Sequence, residues 1–172
     1  MRSATFRPGC VPAFGRASTG SPVFQRILMV CTGNICRSPM AEALLASRLR
    51  QRGADPFVTS AGIAALVGSP ADPIAVELMR ERGLSLEAHR ARQLTPDLVR
   101  SSDLVLVMER DQVRFVEELF PAARGRVQRL GRFAGFDVPD PYRRGRTAFG
   151  EALALIERGV DDVEKAFWSD RR

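Results

Sequence analysis

Ten consecutive residues, Val30-Cys31-Thr32-Gly33-Asn34-Ile35-Cys36-Arg37-Ser38-Pro39, place a thiol and a guanidinium on one short loop. That pairing is chemistry for a phosphate. A thiolate is a strong nucleophile, and a guanidinium grips two oxygens of an oxyanion in a fork that an ammonium lacks. Residues 26–30 are largely apolar and read as a buried strand ending at Cys31, and 39–45 read as the start of a helix with Pro39 in its first position. The loop therefore opens onto a helix N-terminus, where unpaired N–H groups and the dipole favour an anion. The same field, with Arg37 beside it, favours the thiolate form of Cys31. Thr32, Gly33, Asn34, Ile35, Cys36 and Ser38 are the expected phosphate- and substrate-binding positions around this nucleophile and clamp.

The spacing of Cys and Arg is by itself a weak signal. The chain has three Cys, and all but one of its 26 basic residues are Arg, so roughly 0.4 such matches are expected by chance. Cys10 and Arg16 share the spacing, yet no apolar run precedes them and no helical pattern follows. Context selects the loop at Cys31, where a strand comes before, Gly33 and Asn34 suit a tight turn, and a Pro-led helix comes after.

Displacing a phosphate from oxygen onto sulfur also needs an acid for the leaving group. Gly135-Phe136-Asp137-Val138-Pro139-Asp140-Pro141-Tyr142 reads as a loop after the last strand. Asp140 stands between two prolines, which restrict its backbone and remove nearby donors. It is the expected general acid, with Asp137 as the second candidate and a plain Asp-Pro turn as the structural alternative.

These residues require a scaffold that brings strand ends together. Strand signals at 26–30, 57–60, 103–108 and 126–130 alternate with helix signals at 39–52, from Pro73 to a stop at Gly83, a short helix capped by Thr95, 112–120 and 147–168. The alternation predicts an α/β fold, a single doubly wound domain whose four-stranded parallel sheet has helices on both faces. Ligands of such folds bind at the C-terminal ends of the strands, where Cys31 lies. Residues 1–24 are rich in Gly, Pro, Ser and Arg without periodicity and read as a disordered tail preceding a domain over 25–172. The other reading is a start codon set too early, with the protein beginning near Phe24.

The formal charge is +6, of which +4 sits on residues 1–26 and +2 on the rest. A weakly basic body suits a phosphorylated substrate better than a nucleic acid. No apolar run has the length of a membrane span, and residues 1–24 contain no signal-peptide segment. Three Cys, two of them in one loop, do not make a disulfide framework, so a reducing, cytoplasmic setting is expected. A single His without an acidic cluster offers no metal site, and no cofactor is expected.

Cys31 to Ser38, Ser60-Ala61-Gly62, His89-Arg90-Ala91-Arg92-Gln93 and Asp140-Pro141-Tyr142, in that order and spacing, resemble the low-molecular-weight protein tyrosine phosphatases. The resemblance spans about residues 26–168. The stretches Ala65-Leu66-Val67-Gly68 and Asp140-Pro141-Tyr142-Arg143-Arg144 resemble bacterial members that act on tyrosine autokinases of capsule and exopolysaccharide export. It implies attack by Cys31, proton transfer by Asp140, a phosphocysteine intermediate and oxyanion stabilisation by Arg37 and the loop amides. It also implies that Ser38 hydrogen-bonds the Cys31 thiolate, that Asn34 braces the loop toward Ser60 and His89, and that Tyr142 walls the pocket. Ala65 and Leu66 stand where the eukaryotic branch has an aromatic residue, which makes that wall aliphatic. Cys36 has two readings, a small buried apolar residue or a partner that traps oxidised Cys31 as a reversible disulfide. His89 is read as a supporting hydrogen-bond partner, or else as an incidental surface histidine.

Three rival functions share parts of this pattern. An arsenate reductase needs further resolving Cys residues in the second half of the chain, and none follows Cys36. A protein arginine phosphatase has Thr at the position of Ile35, whose apolar side chain favours an aromatic phosphoester over a guanidinium. A non-catalytic phosphotyrosine-binding module needs neither the nucleophile Cys31 nor the acid Asp140.

Overall fold

Ile27-Leu28-Met29-Val30 and Leu104-Val105-Leu106-Val107 are apolar at every position and almost fully buried, as strands must be when both faces of a parallel sheet are covered. The structure, a computed structural model, describes residues 24–169. Its elements run β1 (Arg26–Cys31), α1 (Arg37–Gln51), β2 (Phe57–Gly62), α2 (Pro73–Arg80), α3 (Pro96–Arg100), β3 (Leu104–Val107), α4 (Arg110–Leu119), a 3-10 turn (Pro121–Ala123), β4 (Val127–Arg129) and α5 (Gly145–Trp168). All four strands are parallel, in the order β2-β1-β3-β4. Successive residues of β1 serve opposite faces. Ile27 and Met29 join a core built with α1, α2 and α5, whereas Leu28 and Val30 join one built with α3 and α4.

This strand order fixes where a ligand can sit. From β1 the chain goes first to β2 on one side and later to β3 on the other, so the connections leaving β1 and β3 diverge and open a crevice at their C-terminal ends. The loop after β1 lies at that switch point. The expected α/β architecture and helices on both faces are present.

Element ends differ from the sequence expectation for local reasons. Helix α1 begins at Arg37, two residues before Pro39. Pro39 is thus its third residue, still within the first turn, where a backbone N–H has no intrahelical partner to lose. Helix α4 begins at Arg110 instead of residue 112, because the Gln112 side chain reaches back to the backbone N–H of Glu109 and caps the turn before it. Helix α2 ends at Arg80, and Gly83, at φ +72°, closes the turn beyond it. Residues 1–23, including the Cys10 to Arg16 spacing and most of the expected tail, lie outside the described residues. Phe24 packs edge-on against Phe167 with ring centroids 5.0 Å apart.

Candidate active site

Five successive carbonyls of the loop after β1 are bonded away from its centre. Cys31 O accepts from Ile63 N (2.9 Å), Thr32 O from Ala64 N (3.0 Å), Gly33 O from Leu66 N (3.0 Å) and Ile35 O from Asp72 N (2.8 Å). Asn34 O receives the fifth bond, from His89 Nε2 at 2.7 Å. A carbonyl oxygen only accepts, so His89 carries its proton on Nε2. The segment after β2 thus clamps the loop by its outer edge. The N–H groups of Gly33, Ile35 and Cys36 donate to no protein acceptor among the described residues, although Ile35 and Cys36 are buried. Buried N–H groups without partners are rare, and a row of them on such a loop is an anion-binding concavity. Gly62 permits the close approach, since a Cβ there would lie 2.5 Å from Thr32 O.

Asn34 holds the loop from inside. It is fully buried and adopts φ +55°, a conformation that Asn tolerates better than most residues. Its Oδ1 accepts from Arg92 N (2.8 Å), which fixes the amide orientation. Its Nδ2 donates to Ser38 Oγ and Ser60 Oγ, both at 2.9 Å. Ser38 Oγ, already accepting from Asn34, has its proton free for Cys31 Sγ at 3.0 Å. The backbone N–H of Asn34 also points at Cys31 Sγ, at 3.3 Å. Two donors therefore converge on the sulfur, an arrangement that suits a thiolate. Asn34→Ala strands Ser38, Ser60 and Arg92 N and puts Ala at a positive φ. The expected loss is about 3 kcal/mol of stability by urea denaturation, with the active-site loop disordered first.

Arg37 is almost fully buried and is anchored on both sides. Its Nη1 donates to the Glu109 carboxylate and to Val138 O at 2.9 Å. Its Nη2 lies 2.9 Å from Asp140 Oδ2 and 3.5 Å from Thr32 Oγ1. Its Nε has no partner among the described residues. Glu109 caps α4 two residues after β3, the strand paired with β1 through Val30 and Val107. Gln112 bridges the same region, donating to Thr32 Oγ1 at 3.4 Å.

Cys31, Arg37 and Asp140 line one pocket of about 170 Å³, a space for a side-chain head group and smaller than ordinary metabolite sites. Its walls are Ile35, Ala64, Leu66 and Tyr142, with Thr32, Gly33 and Cys36 completing the loop side. Asp140 is about half exposed, and its Oδ1 accepts from Tyr142 N at 3.2 Å. Burial, with added repulsion from Asp72 and Cys31, pushes the Cys36 thiol well above its ordinary range and keeps it neutral. Both loop cysteines are free thiols.

Residues 26–171 match the family model described as low molecular weight phosphotyrosine protein phosphatase. The chain belongs to this family. It is 52% identical to the probable low molecular weight protein-tyrosine-phosphatase EpsP of Ralstonia nicotianae over 139 residues, covering 81% of this chain and 93% of that one. Among solved structures it is similar to Vibrio vulnificus Wzb in complex with benzylphosphonate, with TM-score 0.78, 40% identity and coverage of 83% and 99% of the two chains. It is also similar to the YwlE arginine phosphatase bearing a phosphorylated active-site serine, with TM-score 0.79, 34% identity and coverage of 85% and 97%.

In this phosphatase-family chain the structure gathers most of the residues singled out in the sequence, and it reassigns several. Asn34 and Ser38 do not line the pocket. They lie behind the loop and act through hydrogen bonds on Cys31, Ser60 and Arg92, because their side chains are turned inward by the positive φ and the first helical turn. Asp137 is drawn to Arg129 at 2.6 Å and away from the pocket. The aliphatic wall is Ala64 with Leu66, while Ala65 turns its N–H to Gln93 Oε1 at 3.1 Å. Ser60 and His89 occupy the bracing positions expected of them. Glu109, Gln112 and Arg92 were not anticipated in these roles. Position alone signalled Glu109, since it follows the strand adjacent to β1 at the ligand-binding edge.

Proposed function

We propose that the protein is a protein-tyrosine phosphatase that works through a phosphocysteine at Cys31. The observation that carries the reading is the convergence of Cys31, Arg37 and Asp140 on one pocket beside unpartnered loop N–H groups. The phosphoryl oxygens lie on those amides, and the unpartnered Arg37 Nε becomes a further donor to them. Cys31 Sγ attacks phosphorus in line, forming an S–P bond as the P–O bond to the tyrosine breaks. Asp140 gives its proton to the departing phenolate oxygen. In the second step Asp140 takes a proton from water, whose oxygen attacks phosphorus, and the thiolate leaves with inorganic phosphate released. The negative charge spread over the equatorial oxygens is stabilised by the same fixed donors in both steps.

Ile35, Ala64, Leu66 and Tyr142 present apolar surface where the leaving group must sit. That surface suits an aryl ring, with Tyr142 available to stack. The proposed partner is a tyrosine autokinase of capsule or exopolysaccharide export, as the sequence resemblance implies, and the proposed setting is the cytoplasm. No helix among the described residues is long and apolar enough to cross a membrane.

The test is phosphate release from a phosphotyrosine peptide and a phosphoarginine peptide, comparing the native chain with Asp140→Asn. The native chain is expected to turn over the tyrosine peptide preferentially. Asp140→Asn is expected to lower kcat on that peptide by about 10²- to 10³-fold, and by less on an aryl phosphate whose leaving group needs no proton. Preference for phosphoarginine would overturn the assignment of the apolar walls. An equal loss on both leaving groups would remove Asp140 from the proton-transfer role.

A further inference from the structure

Asn34 and Arg143 are the only non-glycine residues at positive φ among the described residues, at +55° and +61°. Asn34 is explained by the loop it braces. Arg143 is the third residue of a turn closed by Arg144 N–H donating to Pro141 C=O at 3.0 Å. Tyr142 before it is not at positive φ, so this is the turn pattern in which Gly or Asn is the usual third residue. A long side chain held there carries a steric penalty, and such penalties concentrate where the side chain has a task.

The conformation sets the Arg143 guanidinium over the Tyr142 ring, 5.1 Å from its centroid. Tyr142 is a pocket wall, so the cation is fixed at the pocket rim. Arg143 and Arg144 are exposed and form no ion pair among the described residues. Arg146, two residues on, is by contrast occupied by Glu77 at 2.8 Å and Glu81 at 2.6 Å. Asp140, the acid of the same segment, has its Oδ2 engaged by Arg37 and its Oδ1 by Tyr142 N. The positive charge of Arg143 is thus left uncompensated beside a pocket wall, with the exposed, unpaired Arg144 next to it in the chain.

We propose that Arg143, together with Arg144, forms a rim subsite that reads the carboxylates of Asp or Glu flanking the phosphorylated residue of an acidic peptide. This rests on the phosphotyrosine reading above. The guanidinium fork matches a carboxylate. Stacking on Tyr142 limits the freedom lost when the contact forms. In an exposed setting the effect is modest, sensitive to salt, and felt largely in kcat/KM.

The test measures kcat/KM on the full chain for two phosphotyrosine peptides that differ only in acidic or lysine flanks, with an aryl phosphate as the flank-free reference. Arg143→Gly keeps the positive φ without strain while deleting the guanidinium, and Arg144→Ala deletes the second charge. The native chain is expected to favour the acidic peptide by about tenfold at low salt, with the preference shrinking as salt rises. Each variant is expected to reduce that preference by about threefold relative to the aryl phosphate. No preference in the native chain, or a preference that survives both substitutions, would overturn the proposal while leaving the phosphatase reading intact. Failure of the native chain on the aryl phosphate would instead remove the phosphatase reading, and the subsite with it.

Discussion

Cys31→Ser is expected to lower phosphotyrosine turnover by at least about 10⁴-fold while leaving the fold and substrate binding in place. The sulfur accepts from Asn34 N at 3.3 Å and contacts Ser38 Oγ at 3.0 Å, and a serine oxygen can take up both partners. What it lacks is easy ionisation, because nothing in the pocket serves as a base strong enough to activate a hydroxyl. His89 is spent on Asn34 O, and Asp140 is needed as the acid in the first step. The variant should keep the native thermal transition within a few degrees and still bind a phosphotyrosine peptide, as read by steady-state kinetics, thermal unfolding and calorimetry. Retention of a tenth of native kcat would show that Cys31 is not the nucleophile.

Arg37→Lys should be nearly as damaging, with a loss of about 10³- to 10⁴-fold in kcat/KM despite the retained charge. The Arg37 guanidinium makes separate contacts with Glu109, Val138 O and Asp140, and its Nε remains for the oxyanion. An ammonium has three donors at one point and cannot span these directions. Val138 O would lose a buried partner and the half-buried Glu109 its ion pair, so a fall in stability of about 2 kcal/mol should accompany the loss of activity. Glu109→Gln separates the two effects, since it removes charge from the anchor while keeping Arg37. It should cost far less than Arg37→Lys. Equal losses in kcat/KM for the two variants would place Glu109 in the chemistry itself.

The parts of this site that were legible in the sequence are those where one residue type satisfies one local requirement. An apolar run, a turn rich in Gly and Asn, and Pro39 in the first helical turn marked the loop, and Pro139 and Pro141 marked the poise of Asp140. The strand and helix alternation carried the architecture because apolar runs in β1 and β3 have no other stable use. What escaped was relational. Arg92 N, which fixes the Asn34 amide at 2.8 Å, lies far from the loop in sequence, and only the fold brings it there. Four of the five carbonyl contacts join backbone to backbone, which leaves almost no trace in residue type beyond the space at Gly62. Glu109 is one acid among 20 acidic residues, and only the pairing of β3 with β1 separates it from the rest. Helix starts were misplaced by two residues where Gln112 and Pro39 sit inside first turns.

The most direct test of the account is to quench the native chain with acid during turnover of a phosphotyrosine substrate and locate the phosphate by peptide mass analysis. A single phosphate on the peptide containing Cys31, absent in Cys31→Ser and formed fast enough to account for kcat, is the predicted result. Phosphate on any other residue, or unchanged turnover with no covalent phosphate at any quench time, would contradict it.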